Sequence, residues 1–156
     1  RQKRIPPSSS LLLKTSKPAM MQQMNYVFLY LGALASFLAL DLLWLGLIAK
    51  NFYRENLKHL IADDFNRLAA GIFYLLFVLG ILIFAVLPAL RDGDGGKALL
   101  FGALFGFFTY VTYDLTNLAT LRDWPLKVTI VDIVWGTILA GSVAVTSYGI
   151  GRWLGL

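Results

Sequence analysis

Residues 26–49 read YVFLYLGALASFLALDLLWLGLIA, an apolar run with a single charged residue, Asp41. A helix needs about 20 predominantly apolar residues to cross the hydrocarbon core of a bilayer, and this run is long enough. Its apolar residues do not alternate with polar ones, so it lacks the pattern of a strand in a membrane barrel. The run therefore predicts a transmembrane helix.

Three more apolar runs follow along the chain. They cover residues 68–90, 98–119 and 128–149. The link between the second and third runs, RDGDGGK, is a turn by composition, and Pro125 stands just before the fourth run, where a helix is expected to start. Because the links are short, neighbouring helices are predicted to be antiparallel.

The longer link at residues 50–67 is polar but has one apolar helical face. Tyr53, Leu57, Leu60 and Ile61 fall at the spacing of that face. This pattern is typical of a short helix lying at the membrane interface. The predicted fold is all-α: a four-helix transmembrane bundle with a short interfacial helix between the first and second spans.

The composition supports a membrane protein. Hydrophobic residues make up 58% of the chain and charged residues 15%, whereas soluble domains carry about 25% charged residues. The net charge of +5 resides in residues 1–23, and the rest of the chain has equal numbers of basic and acidic residues. We therefore expect the lipid bilayer, and no nucleic acid, as a partner.

The basic segment at residues 1–23 is predicted to be a disordered tail. Three explanations are open: a juxtamembrane tail, the remnant of an organelle transit peptide, or sequence upstream of a start at one of three methionines. The four-span membrane domain is predicted at residues 24–156. We expect it in the bacterial inner (cytoplasmic) membrane, or in an organelle membrane if the tail is a transit remnant.

Three acids lie inside the predicted spans: Asp41, Asp114 and Asp132. Each costs roughly 2.5–3.5 kcal/mol at the centre of a bilayer, so such residues usually have a function. The order of the helices places all three toward the same side of the membrane. At a rise of 1.5 Å per residue, Asp41 lies about 12 Å from its helix end and the other two 6–8 Å from theirs. The sequence therefore predicts one layer of carboxylates, with Asp41 the deepest.

Other polar side chains extend this layer at helical spacing. The sequences DLLW and DIVW also repeat an acid and a tryptophan at i and i+3, a match that can arise by chance. The predicted ligand or proton site comprises Asp41, Trp44, Tyr110, Asp114, Asn117, Lys127, Thr129, Asp132 and Trp135. The alternative is structural: the acids hydrogen-bond between helices or pair with Lys127.

Catalytic signatures are missing from the sequence. There is one histidine, no cysteine, and no nucleophile, zinc or nucleotide motif. We therefore expect no catalytic residue, cofactor or metal, and the sequence favours a non-catalytic role.

Three stretches resemble a known family. They are FLALDLLWLGLIAKNFYRENLKHLIA, FYLLFVLGILIFAVLPAL and TYDLTNLATLRDWPLKVTIVDIVWGTILAG. Together they are similar to the small bacterial membrane proteins classed as domain of unknown function 2177, from about Asn25 to the C-terminus. The resemblance implies a four-helix membrane protein with no assigned activity, so no catalytic residue can be carried over.

Three hypotheses for the function remain open. The first is transport or ligand binding at the carboxylate layer. The second is an accessory or scaffolding subunit, whose partner is another copy of the chain or a membrane complex. The third is a membrane-embedded lipid-modifying enzyme that uses carboxylates as acid and base.

Overall fold

The computed structural model describes residues 9–62 and 64–156, with side chains described from Met20 onward, apart from that of residue 63. These residues form helices and turns and contain no strand. Four helices are long and apolar enough to cross a bilayer. They are the first span, Met20–Ile48; the second, Arg67–Asp92; the third, Gly95–Thr120; and the fourth, Leu126–Trp153.

The four spans and the short helix confirm the predicted fold. The short helix is Lys50–Leu57, between the first and second spans. The first helix itself begins at Ser9, so it includes part of the segment predicted as a tail. Residues 1–8 lie outside the described residues, and the origin of the basic segment stays a prediction.

Local signals explain where the spans begin and end. The side chain of Asn66 accepts a hydrogen bond from the amide of Ala69 at 3.0 Å, which caps the second span. That span ends at Gly93, whose φ of 67° is one that glycine adopts without strain. Asp94 then caps the third span by accepting a hydrogen bond from the amide of Lys97 at 3.1 Å. These caps allow a turn of very few residues.

Two spans contain a wider, π-helical turn. One is Trp44–Ile48, at the end of the first span, and the other is Leu82–Val86, inside the second. After the first of these turns, the amide of Ala49 bonds the carbonyl of Trp44 at 2.7 Å. The chain then enters the short helix, which brings that helix back toward the bundle.

The fourth span is the centre of the bundle and contacts the other three. Half of the residues in its most apolar 18-residue stretch are buried, against 17–33% in the corresponding stretches of the other spans. Its closest neighbour is the third span, where Gly102 and Gly106 lie directly on its backbone. A Cβ atom at Gly102 would lie 2.8 Å from the carbonyl oxygen of Ala140, and one at Gly106 would collide with the carbonyl oxygen of Gly136. Small residues therefore set the separation of these two spans.

The outer surface of the bundle is apolar. Large hydrophobic side chains such as Leu47, Leu68 and Phe84 are more than half exposed. An apolar surface this extensive is expected where helices contact lipid. The protein is therefore an integral membrane protein in contact with a bilayer.

Candidate functional site

The three acids inside the spans are buried and lie in one layer. The exposed fractions are 5% for Asp41, 0% for Asp114 and 9% for Asp132. Each acid is six or seven residues from the helix end on the side of the short helix, which is a depth of roughly 9–10 Å. The phenol of Tyr110 lies within electrostatic range of all three carboxylates. The three acids thus lie in one layer and share one electrostatic neighbour, Tyr110.

Asp132 is bound by a side chain from the short helix. The hydroxyl of Tyr53 donates a hydrogen bond to the Asp132 carboxylate and accepts one from the indole N–H of Trp44 at 3.0 Å. Burial, and next the hydrogen bond to Asp132, raise the pKa of Tyr53 above its ordinary value. The hydroxyl therefore keeps its proton and remains a donor at neutral pH.

Asp41 has an equivalent partner on the second span. The hydroxyl of Tyr74 donates a hydrogen bond to the Asp41 carboxylate at 2.8 Å, and the indole of Trp135 lies beside the same carboxylate. The two indoles that follow the acids, Trp44 and Trp135, stack on each other, with centroids 4.3 Å apart and an interplanar angle of 7°. The repeated acid and tryptophan thus form one contact between the first and fourth spans, in which each acid has its own tyrosine.

Asp114 differs from the other two acids. Its side chain is fully buried, and among the described residues neither carboxylate oxygen has a hydrogen-bond partner. The carboxylate of Asp132 is its electrostatic neighbour. The indole N–H of Trp135 is also buried and, although it lies beside the Asp41 carboxylate, makes no contact of hydrogen-bond distance and angle with any described residue. Most buried polar atoms in proteins are hydrogen-bonded, and an unsatisfied one costs about 1–3 kcal/mol. The carboxylate layer therefore contains one acid, Asp114, whose two oxygens accept no hydrogen bond from the described residues.

The remaining residues of the predicted site are more dispersed. Asn117 is half-buried beside Tyr113. Thr129 is buried, but its hydroxyl accepts a hydrogen bond from the indole N–H of Trp124 at 3.0 Å. Lys127 is exposed in the first turn of the fourth span, where a long side chain can reach water.

Within the part of the chain whose side chains are described, no acid of the layer is paired with a lysine. Among the described side chains, the one ion pair joins Lys97 and Asp92, at the opposite end of the bundle. The structure therefore does not bring Lys127 to the acids.

Tyr53 and Tyr74 are absent from the site predicted by sequence, although they hold two of the three acids. Tyr74 precedes the buried residues Val78 and Ile81 by four and seven positions, which places it on the face that packs inward. This spacing could therefore have identified Tyr74 as an inward-facing residue from the sequence alone. For Tyr53 the apolar face of the short helix was visible, but the sequence does not show that this face turns back to the fourth span.

Tyr53→Phe is expected to lower the free energy of unfolding by about 1–3 kcal/mol, because it leaves the Trp44 N–H and the Asp132 carboxylate without a partner. The measurement is reversible unfolding in mixed detergent micelles. Tyr26→Phe, which changes an exposed tyrosine on the first span, is the control and should have little effect. Equal stability of the two variants would contradict the role given to Tyr53.

The acids are not arranged to share a metal ion. Across residues 9–62 and 64–156, no group of three His, Asp or Glu side chains is close enough to hold one. The chemistry that the layer offers is that of single carboxylates: each can take up a proton, or balance one positive charge. Asp114 has both oxygens free for this.

Comparison with known proteins identifies the family. The family described as predicted membrane protein (DUF2177) matches residues 26–149, a range that includes all three acids. No curated protein and no solved structure matches the chain. The matched range covers most of the chain, and the protein therefore belongs to the DUF2177 family of predicted membrane proteins.

Proposed function

We propose that this protein is a small membrane transporter for a proton or a monovalent cation, and that Asp114 is its exchange site. The observation that supports this most strongly is the state of Asp114: fully buried, with both carboxylate oxygens unpartnered. A carboxylate at membrane depth needs a proton or a cation to balance its charge, or water to solvate it. With no donor from the described protein side chains, Asp114 depends on such an occupant.

The hydrogen bonding of the three acids supports a functional role for Asp114 and a structural role for the other two. Asp41 and Asp132 each accept a hydrogen bond from a tyrosine, as acids that only hold helices together would. Depth alone favours Asp41 as the functional acid, but its bond to Tyr74 gives it a structural role. Asp114 has no such bond, and the carboxyl group of Asp132 acts on it electrostatically, which favours a positive occupant.

The bacterial cytoplasmic membrane is the location that we propose, since the matching stretches resemble bacterial proteins. A carrier in that membrane would have access to the proton gradient. The carboxylate layer lies close to the end of the bundle that carries the short helix. An ion bound at Asp114 is therefore near the membrane surface on that side and far from the surface on the opposite side.

The test is ion flux into vesicles that contain the purified full chain. A pH step, and separately a Na⁺ or a K⁺ gradient, is imposed, and internal pH or cation content is followed by a trapped fluorescent dye. The wild type should dissipate at least one of these gradients faster than protein-free vesicles do. Asp114→Asn should reduce that rate to the rate of the protein-free vesicles.

The matched control is Asp64→Asn, which removes an exposed acid in the link before the second span. It should leave the flux unchanged. The proposal is wrong if the wild type moves none of the three ions, or if Asp114→Asn moves them at the wild-type rate.

A further inference from the structure

A groove opens from the bilayer toward the carboxylate layer, between the second and third spans. The second span packs against the third mainly through its later part, Leu82–Asp92, and contacts it little through Arg67–Ile81. The two helices therefore diverge on the side of the short helix. The space between them is about 510 Å³ in volume, and its lining residues are Phe73, Phe77, Thr109, Tyr110 and Tyr113.

The walls of this groove are aromatic and its outer edge is accessible to lipid. Phe73 is 44% exposed and Tyr113 is 57% exposed. Deeper in, the rings of Phe77 and Tyr110 meet edge to face with centroids 6.2 Å apart. A molecule dissolved in the bilayer could reach the buried end of the groove without first crossing the polar links.

Tyr110 connects the groove to the acids. Its ring lies against Gly136 of the fourth span, where a Cβ atom would collide with it. All three carboxylates act electrostatically on its hydroxyl. Asp114 follows Tyr110 by one helical turn on the same span. One wall of the groove is therefore also the boundary of the carboxylate layer.

We infer that this groove admits a lipophilic monovalent organic cation, whose apolar body lies among the aromatic side chains and whose charge faces the carboxylate layer at Asp114. The inference rests on the proposed function and specifies its substrate class. Charge complementarity supports it, because the lining has no basic residue and all three acids act electrostatically on Tyr110, which lines the groove. Aromatic rings attract cations, and ligand sites typically have volumes of about 300–1,000 Å³.

The test compares two ions of the same shape and opposite charge. Tetraphenylphosphonium is the cation and tetraphenylborate is the anion, and binding to the full chain in lipid nanodiscs is measured by equilibrium dialysis. Tetraphenylphosphonium should bind saturably, and tetraphenylborate should bind no more than it does to empty nanodiscs. Asp114→Asn should abolish the saturable binding.

Variants of the groove wall test the route itself. Combined Phe73→Ala and Tyr113→Ala should weaken tetraphenylphosphonium binding roughly tenfold, because two aromatic contacts to the cation are lost. Both side chains are exposed, so the fold should survive, which circular dichroism can check. The control is Phe84→Ala. Like Phe73, Phe84 is an exposed aromatic residue of the second span, but it lines a different groove, so its removal should not change binding.

The outcomes distinguish the inference from the proposed function. If the two ions bind equally, or if the double variant binds tetraphenylphosphonium as the wild type does, the inference is overturned. In that case loss of inorganic ion flux in Asp114→Asn would still support the proposed function. The double variant should keep that inorganic ion flux. If it loses the flux, Phe73 and Tyr113 act on the carboxylate site itself and not on the binding of the organic cation alone, which also counts against the inference.

Discussion

Asp114→Leu is expected to raise the free energy of unfolding by about 1–3 kcal/mol, although it changes a residue at the centre of the proposed site. The reason is that leucine has a similar branched shape and removes a fully buried carboxylate that has no hydrogen-bond partner among the described residues. Sites that bind ions or substrates commonly sacrifice stability in this way. The measurement is the midpoint and slope of unfolding by dodecyl sulfate in mixed micelles.

The matched variant is Asp132→Leu, which should have the opposite effect. It removes the acceptor of the Tyr53 hydroxyl and leaves that partly buried donor unsatisfied, so stability should fall by about 1–3 kcal/mol. The two substitutions are chemically identical and lie in the same layer. If both lower stability, Asp114 has a structural partner after all, and the distinction between the two acids is lost.

Gly106→Ala should destabilise the protein by about 1–3 kcal/mol, the usual cost of excess volume in a packed core. The new Cβ atom would collide with the carbonyl oxygen of Gly136 and lie 2.7 Å from the Cβ of Ala140. Backbone atoms cannot turn away as a flexible side chain can, so the third and fourth spans must separate. Alanine otherwise favours helix over glycine by about 1 kcal/mol, so the predicted sign runs against helix propensity.

Gly149→Ala is the control for this prediction. It makes the same change in the fourth span, where a Cβ atom would meet nothing within 4 Å. Its unfolding should be no easier than that of the wild type, and helix propensity could make it harder. A stable Gly106→Ala would show that the two spans can move apart at little cost, and that the close packing there is not required.

The sequence predicted the fold well because the bilayer imposes strong and simple constraints. A span must be long and apolar and must satisfy its own backbone, and four runs among the residues that the structure describes meet these conditions. The connectivity and the rise per residue predicted that the acids lie toward one side of the membrane with Asp41 clearly the deepest, whereas the structure places Asp41 only about one residue further from its helix end than the other two. These quantities do not depend on how each helix is rotated about its axis.

The partners of the acids could not be predicted, because they do depend on that rotation. In a helix that is apolar on all sides, the sequence gives little indication of which face turns inward. Depth therefore favoured Asp41 as the functional acid, whereas hydrogen bonding points to Asp114. Lys127 was placed with the acids by its position at a helix start, and its exposed side chain shows that proximity along the axis is not contact.

The stacked indoles of Trp44 and Trp135 make the contact between the first and fourth spans observable by ultraviolet spectroscopy. Two parallel chromophores 4.3 Å apart couple their electronic transitions, and the coupling varies steeply with separation and angle. One ring belongs to the first span and the other to the fourth. A sub-ångström slip of one helix past the other would therefore alter the near-ultraviolet spectrum, with no dye or label attached.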